Sequence, residues 1–224
     1  MSGLELARLK AVASRSDYRS MVRFAVALAE HGHDDRAIIR MCYGVDCPDE
    51  FFMLSRHHWQ RYALATNLPW QLIAPPQQRR QSPDPDSMWR VELEAYAIDP
   101  GLVPIDYLED DYAEYGSALI CYHLDELAAG RSTIFGLDDR YGDHVRTFPP
   151  GTVPERYGPS WLAVLHGYER DKLRIVEEHY ADLSNRGFGS IERKDVEKQL
   201  AEVRFVEELQ VRLAIFGADG PADD

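Results

Sequence analysis

The spacing of hydrophobic positions along the chain changes period twice. Over the first 65 residues it is helical. Met21, Phe24, Val26, Leu28 and Ala29 fall on a broad apolar face of a helix that Ser16 can cap and that ends near Gly32. Asp34 or Asp35 opens a short second helix through Ile38, Ile39 and Met41, closed by Gly44. Pro48 opens a third, because proline suits a first helical turn and the carboxylates of Asp49 and Glu50 favour its positive end. That helix carries Phe51, Phe52, Leu54, Trp59, Tyr62 and Leu64 and breaks around Asn67–Pro69.

From Trp70 the pattern reads as strands. "WQLIA" predicts a short strand stopped by Pro75 and Pro76, followed by a polar, proline-rich loop, "QQRRQSPDPDS". "MWRVELEAYA" alternates Trp89, Val91, Leu93 and Ala95 against Arg90, Glu92, Glu94 and Tyr96, as a half-buried strand does. "GLVPI" predicts a brief strand. "SALICYHL" is continuously apolar, as in a central strand covered on both faces. "RSTIFGL" predicts a further strand, and "DHVRTF" an edge strand or loop.

Helical spacing returns after Pro150. An amphipathic helix is expected from about Pro154 to Ser184, its regular start delayed to Ser160 by Gly158 and Pro159. A last helix from about Ile191 to Phe216 places Val196, Leu200, Val203, Val206, Leu209, Leu213 and Phe216 at spacings of three and four. Strands that cluster instead of alternating with helices define an α+β fold: N-terminal helices, a central, mostly antiparallel sheet and C-terminal amphipathic helices. The expected organisation is a helical segment over 1–33, an α+β domain over 34–185 and a helical extension over 186–224.

Composition narrows the function. The 224 residues are 45% hydrophobic and 28% charged, ordinary for a chain that buries a core. No run approaches the roughly 18–20 apolar residues that cross a bilayer. The N-terminus lacks the apolar region of a signal peptide, which predicts a cytoplasmic protein. Cys42, Cys47 and Cys121 are odd in number and show no C-x-x-C spacing, so neither a disulfide framework nor a zinc site is expected. The net charge of −13 disfavours nucleic acid and anionic membranes, whose phosphates need cationic groups. A basic protein is the natural complement, although acidity serves solubility equally well.

Candidate chemistry is sparse. His31/His33 and His57/His58 are spaced so that neither pair shares a helix face, and Glu177–Glu178–His179 lacks the second histidine of a zincin. Ser117 and Ser132 have no nucleophile-elbow context, and "RGFGS" lacks the lysine of a phosphate loop. The acidic run lacks the alternation and central glycine of an EF-hand loop. No catalytic residue, cofactor or metal is therefore expected.

The pronounced feature is charge: between Asp84 and Glu114 ten acidic residues face the single Arg90, a local net charge of −9. Such a run can be a solvated face. Here it is threaded through strands carrying Tyr96, Tyr107, Tyr112 and Tyr115, and tyrosines with carboxylates on a sheet edge suit a Lys/Arg-rich protein. The candidate partner-binding residues are Glu109, Asp110, Asp111, Tyr112, Glu114 and Tyr115, with Tyr107, Glu92 and Glu94.

Two stretches carry a family resemblance. "YGVDCPDEFFMLSRHH" (Tyr43–His58) resembles the helix–Gly–x–x–x–Pro–x–x–Phe entry of the SUKH superfamily, and "GLVPIDYLEDDYAEYGSALICYHLDELAAGRSTIFGLDD" (Gly101–Asp139) resembles its central hairpin. The match covers residues 34–185. It implies a non-catalytic α+β binding domain, often an immunity protein that neutralises a cognate toxin of contact-dependent or secretion systems. The stretches "CYGVDCPDEFF", "LPWQLIAPPQ" and "MWRVELEAYAIDPG" also look like the histone PARylation factor family, which would imply an accessory factor of an ADP-ribosyltransferase.

Overall fold

The computed structural model describes residues 3–61, 69–74, 91–108, 117–139, 148, 151–182 and 191–218. The architecture is α+β, with helices at both ends of the chain and a sheet between them. The chain divides into two compact units, residues 1–157 and 158–224.

In the first unit, α1 (Gly3–Val12) buries no residue fully. Helix α2 (Tyr18–Glu30) contributes Met21, Val22, Phe24, Ala25 and Leu28 to the core. Its cap is Asp17, one residue beyond the expected Ser16: an Asp17 side-chain oxygen accepts the Ser20 N–H at 3.3 Å. Helix α3 (Asp35–Tyr43) is bounded as its sequence predicts. Asp34 accepts the Ala37 N–H at 2.8 Å, and Gly44 closes the helix with φ +80°, a left-handed conformation that glycine adopts without a Cβ penalty. Helix α4 (Asp49–Arg61) follows Pro48, and Arg36 holds its start by pairing with Asp49 and stacking 4.5 Å over the Phe52 ring.

Two expected strands are helical. "WQLIA" belongs to a 3-10 helix, Pro69–Ile73, whose five residues are all buried, against α2, α3, α4 and the first strand of the sheet. A short apolar run enclosed on every side has no face for alternation to report. "VELEAYAI" is helix α5 (Val91–Ile98). Over eight residues a two-residue and a 3.6-residue period overlap, and Glu92, Leu93, Glu94, Ala95 and Ala97 are strong helix formers. Exposure distinguishes the two periods: Ala95 is 0% exposed, while Leu93, which alternation places on the same face, is 37% exposed.

The sheet has the order β1-β2-β3-β4, with β1 (Leu102–Leu108), β2 (Ser117–His123), β3 (Ile134–Asp139) and β4 (Glu155–Gly158). Strand β2 pairs antiparallel with both β1 and β3. Its consecutive residues Ala118, Leu119, Ile120, Cys121 and Tyr122 are all buried, so both faces are covered as its unbroken apolar run predicts. Helix α6 (Leu124–Ala128) leads from β2 toward β3. Residues 155–158, ahead of the helix start expected at Ser160, form β4, and the Gly158–Pro159 step separates that strand from the helix, which begins where expected. "DHVRTF" lies outside the described residues, apart from Phe148.

Strand β1 is a blunted edge. Pro104 has no N–H, the Leu102 N–H donates to the Asp99 carbonyl at 3.0 Å, and the Tyr107 N–H donates to Asp106 Oδ1 at 2.8 Å. A further strand would find few donors there, which limits edge-to-edge pairing.

The second unit is a helical hairpin. Helix α7 (Trp161–Ala181) is capped by Ser160, whose hydroxyl accepts the Ala163 N–H at 3.2 Å. It packs on α8 (Arg193–Ala218), which buries Val203, Val206 and Leu209. Gln199 Nε2 donates to the backbone carbonyl of Glu169 at 3.1 Å and to its carboxylate, a polar pair that sets the register of the two helices.

Leu119 is 1% exposed at the centre of β2. Leu119→Asp places an unpaired carboxylate there and should destabilise the first unit by more than about 4 kcal/mol. Loss of the cooperative unfolding transition in urea is the expected readout, and an unchanged midpoint contradicts the enclosure of β2.

Candidate functional site

The hairpin of β1 and β2 brackets the acidic stretch. Pairing runs from Leu102↔His123 to Leu108↔Ala118, with an irregularity between Pro104 and Asp106. Residues 109–116 connect the two strands, so Glu109, Asp110, Asp111, Tyr112, Glu114 and Tyr115 lie outside the described residues. Of the remaining candidates, Tyr107 is half-buried on β1, opposite Leu119. Glu92 and Glu94 do not stand on a strand edge; they belong to α5, where Glu94 is half-buried and engaged in an interaction.

Near the other end of the hairpin, His123 is held from both sides. It caps α6: ring Nδ1 accepts the Asp125 N–H at 3.2 Å. A backbone N–H can only donate, so Nδ1 carries no proton and the ring hydrogen sits on Nε2, 3.3 Å from Asp99 Oδ2. Asp99 Oδ1 in turn accepts the Gly101 N–H at 2.7 Å. Gly101 must lack a side chain, since a Cβ there would lie 2.4 Å from His123 Nε2. An Asp–His pair resembles the base of a catalytic relay, but this one leaves neither ring nitrogen for a substrate proton. It fastens the α5–β1 corner to the end of β2.

Cys42, Cys47, Tyr122 and Glu126 are likewise buried or engaged. Burial pushes the thiols of Cys42 and Cys47 up to about 12, so both stay protonated and weakly nucleophilic at neutral pH. The Tyr122 hydroxyl donates to Glu50 Oε1 at 2.8 Å inside the core, and burial, then the neighbouring Glu50 carboxylate, raises its pKa well above the usual value. Glu126 receives both forks of the Arg131 guanidinium, at 2.8 and 2.7 Å, and the Thr133 hydroxyl at 2.8 Å. These hydrogen bonds, Arg131's first, lower its pKa from 4.5 to about 2.

Of the histidines considered for metal, His31 bonds the Ala27 carbonyl through Nδ1 at 2.8 Å, and His33 is exposed. The side chains of His57 and His58 lie outside the described residues. Among the described residues, no group of three or more His, Cys, Asp or Glu is arranged to hold a metal ion, and no helix is long and apolar enough to cross a membrane.

Sequence reading missed three long-range arrangements: Tyr122–Glu50, His123–Asp99, and Arg15 with Tyr43 and Tyr96. Their partners are 72, 24, 28 and 81 positions apart, beyond the reach of any local pattern. No protein-family model matches the chain, and no curated protein or solved structure matches it either.

Two expectations follow from this geometry. Tyr122→Phe removes a buried donor from the Glu50 carboxylate and should cost about 1–3 kcal/mol in urea unfolding. Glu126 supplies the second. Its folded pKa is depressed, so its contribution to stability is complete above pH 4.5 and is lost as pH falls toward about 2. Arg131→Gln should flatten the fall of the urea midpoint across that window; an unaltered slope would mean the pair does not survive in solution.

Proposed function

We propose that the chain is a non-catalytic protein-binding domain that uses the acidic connection of its β1–β2 hairpin to engage a basic protein partner. The resemblance to the SUKH superfamily makes that partner a toxin domain and this chain its immunity protein. One observation carries the reading: strand pairing persists to Leu108↔Ala118, beside a β2 core buried on both faces. The ends of the acidic stretch are thereby anchored to a rigid sheet, and anchored ends lower the ordering cost of binding. The structural occupation of His123, Cys47 and Glu126 supports a role in recognition over one in catalysis.

Rim charges mainly accelerate association, whereas aromatics near an interface centre set dissociation. Glu109, Asp110, Asp111 and Glu114 converted together to Asn and Gln should slow association with the product of the neighbouring gene by about tenfold or more and flatten its salt dependence. Tyr112→Ala and Tyr115→Ala should instead speed dissociation. The measurement is binding kinetics at low and high salt, with protection in a toxin co-expression assay beside it. Unchanged association rate and salt slope would leave the stretch a solvated face. A neighbouring gene for an ADP-ribosyltransferase, with binding of its product, would replace the toxin reading by that of an accessory factor.

A further inference from the structure

Arg15 lies in the turn between α1 and α2, closed by a bridge between Ser14 and Asp17. Its guanidinium carbon is 5.4 Å from the ring centroid of Tyr43 and 5.4 Å from that of Tyr96. Its two terminal nitrogens donate to the backbone carbonyls of Pro100 and Leu102. Aromatic faces and carbonyl acceptors are the complement of a guanidinium, which is planar, permanently charged and carries donors in a fixed fork. A lysine ammonium, compact and strongly hydrated, matches such a site poorly.

The receiving groups and the occupant come from different parts of the chain. Tyr43 and Leu102 are core residues, at 7% and 0% exposure, and Tyr96 and Pro100 flank them on the α5–β1 corner. The occupant comes from the turn ahead of α2, and the helix before that turn, α1, buries no residue fully. The receiving surface is therefore built by α3, α5 and β1 and filled from the turn that joins α1 to α2.

We propose that this cleft is a guanidinium-recognition site that takes an arginine side chain presented by a protein partner, with Arg15 as its intramolecular occupant. The proposal rests on the reading of the chain as a binder of basic proteins and specifies which basic residue the partner presents. A tethered occupant competes at an effective concentration in the millimolar range or above, so an arginine in solution binds the intact protein weakly. A partner that contributes other contacts can overcome that competition, and the net charge of −13 favours the incoming cation.

The test uses the full chain with N-acetyl-argininamide and N-acetyl-lysinamide as probes, with binding followed by calorimetry and by the shift in Tm. Arg15→Ala should bind the arginine probe at least about tenfold more tightly than wild type does, saturably, and in preference to the lysine probe. Adding Tyr96→Leu should abolish that gain. Equal affinity of wild type and Arg15→Ala, or an equal response to both probes, overturns the proposal. If Arg15→Ala does not fold alone, argininamide in the refolding buffer must restore its far-UV signal where lysinamide does not; failure to do so also overturns it. All these variants keep the acidic hairpin connection intact, so a negative result removes the guanidinium site alone. Retained argininamide uptake with no effect of hairpin neutralisation removes the hairpin reading alone.

Discussion

The hydrogen bond from Tyr122 to Glu50 joins the end of the inner strand β2 to the first turn of α4, and it constrains how that helix can pack in the first unit. Glu50 is 2% exposed and Tyr122 is 0% exposed. A carboxylate in such surroundings is tolerated only with hydrogen-bond donors aimed at it, and the positive end of a helix eases the charge further. Alternative packings of α4 on the sheet would leave the acid buried without its tyrosine. The pair thus discriminates against slipped arrangements that hydrophobic burial alone would accept.

The same logic recurs around the sheet. Where β1 has an outer edge, Pro104 and Asp106 limit its free donors, and Arg15 covers the Leu102 carbonyl. At the end of β2, His123 caps α6 and reaches Asp99 together. At the start of β3, Glu126, Arg131 and Thr133 close a small network. Each of these polar groups holds the backbone or a neighbour in place.

How much of this was legible depended on distance along the chain. Helix α3 could be bounded from Asp34 and Gly44 because its caps bond within four residues. Strand β2 was legible because burial on both faces leaves an unbroken apolar run. Helix α5 and the 3-10 helix Pro69–Ile73 were misread as strands. Five to eight residues hold too few turns to separate the two periods, and full enclosure erases amphipathicity. Strand β4 was missed because four residues, three of them exposed, leave no pattern. The acidic stretch announced itself by composition, and the pairing of its flanking strands places it at a hairpin connection. Arg15 gave no local signal, since Tyr43, Tyr96 and the Pro100 carbonyl converge on it only after folding.

The two recognition features proposed here stand toward opposite ends of one strand. Leu102, whose carbonyl receives the guanidinium, begins β1, and Leu108, after which the acidic stretch starts, ends it. Six residues of extended chain span roughly 20 Å. A standard protein interface covers about 800 Å² on each partner, roughly 30 Å across, so one docked protein can reach both. Their physical contributions differ. Clustered carboxylates act over about 8–10 Å at physiological salt and shape the approach, but they discriminate little between arginine and lysine. A stacked site with carbonyl acceptors acts only at contact and does discriminate. A partner drawn in by charge and retained by one arginine would associate in a salt-dependent way and dissociate in a residue-specific way. Such a division would let an acidic protein be selective amid the many basic surfaces it encounters.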